Sequence, residues 1–328
     1  MTDSLRALLR DLPLADEKSR AALADRAAQI LRPAGALARL DEIAVFIGGW
    51  QRCVTPIIER PVALIFAGDH GVAADGVSAY PQDVTGAMLQ AFRQGVSSIN
   101  ALATVAGAEV IAIDCGVGVP TANFRHEAAL SNERFEHSVR LGSEAVAAVD
   151  TDLLIVGEMG IGNTTSAAAL AACLYGGPAK SWVGVGTGVN AEQMTCKLHA
   201  VRDAQARLGT IESLEVLRQV GGTELVAMAA AVTEARRRSI PVVLDGYVAT
   251  AAVAPLAIFS PGSLDHCLAG HLSPEPGHRR LLDQLGLEPI LDLQMRLGEG
   301  SGAMAAVPLI KAACRLLVDV PTFGEWFG

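Results

Sequence analysis

Two acids stand out by the company they keep. Glu158 sits in Gly157-Glu-Met-Gly-Ile-Gly162, ahead of Asn163 and Thr164, and Glu299 stands between Gly298 and Gly300. A carboxylate flanked by glycines has no side chains to shield it, so it is either an exposed turn or a working group. Around Glu158, glycines let backbone N–H groups approach a ligand, and an Ala/Leu-rich helix follows with Asn163 or Thr164 as its N-cap. Its positive dipole end suits an anion, yet Glu158 would repel a phosphate placed beside it. A molecule with phosphate at one end and developing positive charge at the other satisfies both. The alternative is a tight strand-to-helix turn whose glycines only ease packing. No Gly-Lys-Ser/Thr follows, and the spacing is not that of a dinucleotide fingerprint.

Other chemistry-bearing residues repeat the theme. Gly184, Gly186 and Gly188 form a second glycine cluster, and Lys197 follows within a helical pattern. Its amine either returns to the same anion or faces solvent. Asp69 and His70 follow the apolar run Val62–Phe66, placed either for a ligand or to bond each other and cap the next turn. Asp245 follows Ile240–Leu244. His266, His271 and His278 lie near Cys267 and Glu275, but their spacing matches no standard zinc pattern, so no metal is expected.

The elements that must position these groups recur as strand, acid-plus-glycine turn, helix. Strands are expected at Val62–Phe66, Val110–Ile113, Leu153–Val156 and Ile240–Leu244. This predicts an α/β fold: a Rossmann-like parallel sheet flanked by helices, with its site at the strands' carboxyl ends. Residues 1 to about 30 read as amphipathic helices, and Thr121–Leu141 as an irregular excursion. The uncharged stretch Gly246–Leu264 nears membrane-spanning length, but its two prolines and polar residues predict a buried helix. Segments 1–50 and about 303–328 are expected to form a smaller helical domain, and 51–302 the α/β catalytic domain.

Composition narrows the partners. The 328 residues carry a net charge of −9 with only 4% aromatics and no basic run, which disfavours nucleic acid and anionic membranes. Hydrophobic residues make up 51% and charged ones 19%, which predicts a homo-oligomer. Six scattered cysteines without a C-x-x-C read as reduced thiols of a cytoplasmic protein, and no secretory signal is evident at the start.

Taken in order, FAGDHGV at 66–72, GEMGIGNTTSAAA at 157–169, GG-TELVAM at 221–228, VVLDGY at 242–247, HLSPEPGH at 271–278 and RLGEGSGAMA at 296–305 make a specific set. Together they resemble the nicotinate-nucleotide–dimethylbenzimidazole phosphoribosyltransferase family of cobalamin lower-ligand assembly. The resemblance implies a homodimeric enzyme that moves 5-phosphoribosyl from nicotinate mononucleotide to 5,6-dimethylbenzimidazole, with small-molecule substrates and no cofactor. It assigns Glu299 as general base and Glu158 as the second site carboxylate. It places Gly160, Gly162, Asn163, Thr164, Gly184, Gly186, Lys197 and Ser273 at the phosphoribosyl group, and Tyr80, Met88, Leu297 and Asp245 around the base. Some members carry Ser and Gln where Tyr80 and Met88 align, so this base pocket has a phenol and a thioether instead.

Overall fold

Runs of branched apolar residues become strands buried on both faces when helices cover both sides of a parallel sheet. The computed structural model, which describes residues 2–328, has six strands: β1 (Pro61–Ala67), β2 (Glu109–Asp114), β3 (Leu153–Met159), β4 (Val242–Leu244), β5 (Cys267–His271) and β6 (Pro289–Leu291). Of these, β1, β3, β4 and β5 are buried and the edge strands β2 and β6 only partly so. All pair in parallel, in the order β2-β1-β3-β4-β5-β6.

Alternate side chains supply two cores. Val62, Leu64 and Phe66 join Leu154 and Val156 on one face, under helices Asn132–Ala147, Asn163–Tyr175, Thr223–Arg237 and Tyr247–Phe259. Ala63, Ile65, Leu153 and Ile155 face the other way, toward helices Ala38–Gln51, Ser98–Ala106 and Ser301–Asp319. Met304, Val307, Ile310, Cys314 and Leu317 sink into this second core, so the longest apolar helix packs as a core helix.

The chain leaves β1 toward β2 on one side and β3 on the other. Ligands in such sheets sit beyond the strands' carboxyl ends, and here the end of β3, on its β4 side, opens into a cleft. The register sets Phe66 beside Glu158 there.

Several expectations need correction. β3 runs through Met159, so Gly157 and Glu158 belong to the strand and not to the turn. Glycine is needed at 157 because a Cβ there would come 2.5 Å from the backbone nitrogen of Gly300. The Asn163–Tyr175 helix is capped by Gly162 in a left-handed conformation, φ 94°, in place of Asn163 or Thr164. β5 and β6 were not anticipated: Cys-Leu-Ala-Gly-His has no branched run, and β6 has three residues. The supposed excursion 121–141 contains the start of helix Asn132–Ala147, whose buried Phe135, Val139 and Val146 recur at helical spacing. The uncharged stretch after Asp245 is the buried helix Tyr247–Phe259.

At the chain ends, helices Glu17–Ala27, Ala38–Gln51 and Ser301–Asp319 pack together, and an isolated bridge pairs Ile30 with Thr322. The short helix Asp3–Leu8 lies elsewhere, against Asn132–Ala147 and Thr223–Arg237.

Candidate active site

The cleft is built where β3, β4 and β5 end. Glu158 and Glu299, 141 positions apart in the chain numbering, both line it, together with Gly160, Ile161, Gly162, Asn163 and Thr164 from the turn after β3. The Asn163 side-chain amide donates to Glu158 Oε2 and sets that carboxylate's orientation. Burial, reinforced by the charges of Asp245 and Glu224, pushes the Glu158 carboxyl up to about 8.

Glu299 is held by its neighbours. Asp245 accepts from the backbone N–H of Gly300 (3.1 Å), Gly302 (2.8 Å) and Ala303 (2.9 Å), anchoring the first turn of helix Ser301–Asp319. That anchorage fixes Glu299 at φ 63°, a conformation a non-glycine residue rarely adopts without a surrounding that imposes it. Its Oε2 is buried without a hydrogen-bond partner, and burial with the Asp245 charge pushes its carboxyl up to about 7. A carboxylate with a spare acceptor oxygen and a near-neutral pKa is suited to take a proton at physiological pH.

The second glycine cluster closes the inner end. Gly186 donates its N–H to Glu275 (2.7 Å), and its carbonyl accepts from Arg296 (3.0 Å). Lys197 is fully buried behind this loop, with Nζ donating to the Gly184 carbonyl (2.7 Å) and to Thr164 Oγ1 (3.2 Å). Desolvation lowers its pKa, partly offset by Glu275. The lysine therefore does not face solvent; it ties the glycine loop to the first turn after β3.

The remaining expected residues fall into place unevenly. Ser273 lines the inner cleft, its N–H donating to His278 Nδ1 (2.9 Å). Gly186 lines the cleft, whereas Gly184 and Lys197 stand behind it. Tyr80, Met88 and Leu297 gather with Val84, Met159 and Ile161 around an outer, mainly apolar space of about 510 Å³ that reaches Glu299. Asp245, expected near the aromatic base, lies instead in the inner half with its oxygens engaged by helix amides. The three histidines do not converge: His266 bonds the Val232 carbonyl, His278 bonds Thr250 and Ser273, and His271 lies 3.6 Å from Asp245. Asp69 accepts from Gly118, and His70 bonds Glu224 and Ser166, so the two do not bond each other through their side chains.

The sequence sets Glu275 only beside the scattered histidines and Arg296 only within its motif, and neither pattern points to the Gly186 loop that both hold. The available signal was an acid between two prolines and an arginine three residues before Glu299.

A family model described as phosphoribosyltransferase matches residues 12–326. The "Nicotinate-nucleotide--dimethylbenzimidazole phosphoribosyltransferase" of Methylorubrum extorquens is 45% identical over 98% of this chain and 95% of its own length. The chain belongs to the nicotinate-nucleotide–dimethylbenzimidazole phosphoribosyltransferase family. The family member of the same name from Novosphingobium aromaticivorans is 48% identical over 97% of this chain and 95% of its own length. A family crystal structure from Thermus thermophilus superimposes with a TM-score of 0.89 at 41% identity, covering 94% of this chain and 98% of that one. The α/β architecture and transferase class thus rest on near-complete coverage.

Proposed function

We propose that this protein transfers the 5-phosphoribosyl group of nicotinate mononucleotide to 5,6-dimethylbenzimidazole or a closely related base, releasing nicotinate and forming the α-ribotide. The observation that carries the mechanism is the convergence of Glu158 and Glu299, both buried with raised pKa values, on one cleft beside a helix N-terminus.

The phosphate end belongs in the inner half, against Gly160, Gly162, Asn163, Thr164 and the Gly184–Gly186 loop, where backbone dipoles favour an anion. Lys197 and Ser273 support that half. The acceptor base belongs in the outer half, against Tyr80, Met88 and Leu297. Asp245 serves by holding the Glu299 turn.

In the donor the leaving group is a pyridinium, so the C1′–N bond breaks with its electron pair going to nicotinate nitrogen, and no general acid is required. The acceptor's lone-pair nitrogen forms the new C1′–N bond from the opposite face, which inverts the anomeric centre. The proton on its other ring nitrogen passes to Glu299. Glu158 lies where positive character develops on the ribosyl carbon. A bound pyridinium favours its ionised form, drawing its pKa down from the empty-cleft value.

Low charged content and exposed apolar side chains, including Phe323, Trp326 and Phe327, support a homodimer. Six free cysteines support a cytoplasmic location. Light scattering at several concentrations tests the first and cell fractionation the second.

The decisive assay incubates the protein with nicotinate mononucleotide and a panel of benzimidazoles, purines and phenols, with mass detection of each ribotide. The expected product is the benzimidazole α-ribotide. Turnover confined to another base class would replace the acceptor, and release of no nicotinate with any base would overturn the reading.

A further inference from the structure

Two sequence motifs, FAGDHGV and GG-TELVAM, contribute no side chain to the cleft lining. Their most polar members meet in the interior. His70 and Glu224 are both fully buried, with His70 Nε2 2.5 Å from Glu224 Oε1. On the other side of the ring, His70 Nδ1 lies 2.9 Å from Ser166 Oγ. With Nε2–H donating to the carboxylate, Nδ1 is left to accept from the serine hydroxyl, so Glu224 selects the tautomer. Ser166 is itself inaccessible, which removes any nucleophilic use of this Ser–His–Glu line.

Its position gives it another use. Glu224 is in the first turn of helix Thr223–Arg237, and Ser166 is in the first turn of Asn163–Tyr175. The imidazole therefore bridges two helix starts. A Cβ on Gly160 would come 3.2 Å from Glu224 Oε1 and 3.3 Å from His70 Cδ2, and one on Gly222 only 2.3 Å from His70 Cε1. The ring is confined between Gly222 and the turn after β3, which rests on it.

We propose that His70, oriented by Glu224 and joined to Ser166, is a positioning residue that holds the Gly160–Thr164 turn in its phosphoribosyl-binding shape. The inference rests on the functional reading above, because that reading places the phosphate at this turn. The dyad touches no reacting atom. It fixes where the turn's amides stand, so its loss weakens grip on the phosphorylated sugar first. The acceptor pocket, walled mainly from 80–88 and 296–299, meets this turn only through Ile161 and the adjoining Met159 and is affected less.

The test compares Ser166→Ala, His70→Gln and His70→Ala in the full chain. The readouts are KM for nicotinate mononucleotide, KM for the acceptor base, and calorimetric affinity for ribose 5-phosphate. Ser166→Ala deletes a single hydroxyl and keeps the packing, so it remains informative if the His70 variants do not fold. It is expected to raise the nucleotide KM and weaken ribose 5-phosphate by about 3–10-fold, with base KM rising by a clearly smaller factor. His70→Ala is expected to exceed it, with His70→Gln between them because its amide can still reach Glu224. Folded variants with unaltered nucleotide KM and ribose 5-phosphate affinity would overturn the proposal, as would a base KM that rises as much as the nucleotide KM. Wild-type protein that binds ribose 5-phosphate but forms no ribotide would sink the transferase reading alone, since the binding arm still tests the clamp. Wild-type protein that binds neither sugar phosphate nor nucleotide would overturn both.

Discussion

The Glu158 carboxylate lies directly against Gly298: a Cβ added to that glycine would stand 2.6 Å from Glu158 Oε1. The residue beside Glu299 thus touches the other glutamate, and one small substitution reports on both. Gly298 also holds φ 85°, which resists any side chain. Gly298→Ala is expected to displace Glu158 and twist the Glu299 turn, lowering kcat by roughly 10²-fold while the protein stays folded. Steady-state kinetics with near-UV circular dichroism checks this; wild-type turnover would show that the contact has no catalytic weight.

Glu299→Gln keeps size and removes the proton acceptor. The expected loss in kcat is on the order of 10²–10⁴, with nicotinate mononucleotide affinity largely kept. Single-turnover rates and equilibrium binding separate the two effects, and near-normal turnover would refute the base assignment.

The pH profile follows from the same carboxyls. A general base works deprotonated, and Glu299 retains its proton up to about 7, Glu158 to about 8. kcat/KM is therefore expected to rise from pH 6 to pH 8 and to flatten only above that. A rate independent of pH below 7 would contradict both roles.

Stability should move the other way. Glu158 has a folded pKa raised from 4.5 to about 8, so between those values the folded state binds more protons than the unfolded one. Stability consequently declines as pH rises through that window. Glu158→Gln, which carries no charge to bury, is expected to raise Tm by about 2–5 °C at pH 8 and by almost nothing below pH 4.5, while lowering turnover. Thermal unfolding at the two pH values measures the difference, and an equal gain at both would exclude a titration origin.

Asp245→Ala removes the acceptor for three backbone amides at the start of helix Ser301–Asp319. It is expected to cost about 1–2 kcal/mol of stability and to lower kcat by releasing the Glu299 turn. Denaturant unfolding and kinetics on the same preparation test it; lost stability with kcat intact would show that the turn holds its shape unaided.

Much of this was readable from residue order, for physical reasons. β1 and β3 announce themselves because a strand covered on both faces must be largely apolar, Glu299 because two glycines isolate it, and Glu158 because it is the one acid in a glycine-rich stretch. β5 hid because its place between β4 and β6, and not its own side-chain pattern, makes it a strand. Glu275 and Arg296 hid because their partners are main-chain atoms of Gly186, 89 and 110 residues distant. Helical periodicity in Asn132–Ala147 was present but diluted by its polar exposed face. A backbone partner far away in the chain leaves no local mark on either residue.

The helix Ser301–Asp319, whose first turn follows Glu299, packs on Ala38–Gln51 and Glu17–Ala27, whereas Glu158 is borne by the central sheet. That helix also packs on β3 and β5, so the pair is set across the seam between the sheet and one of its covering helices. Substitutions buried along that seam, remote from any substrate atom, would alter the spacing of the two carboxylates, so variation in rate among related sequences should track how their terminal helices seat as much as what lines the cleft.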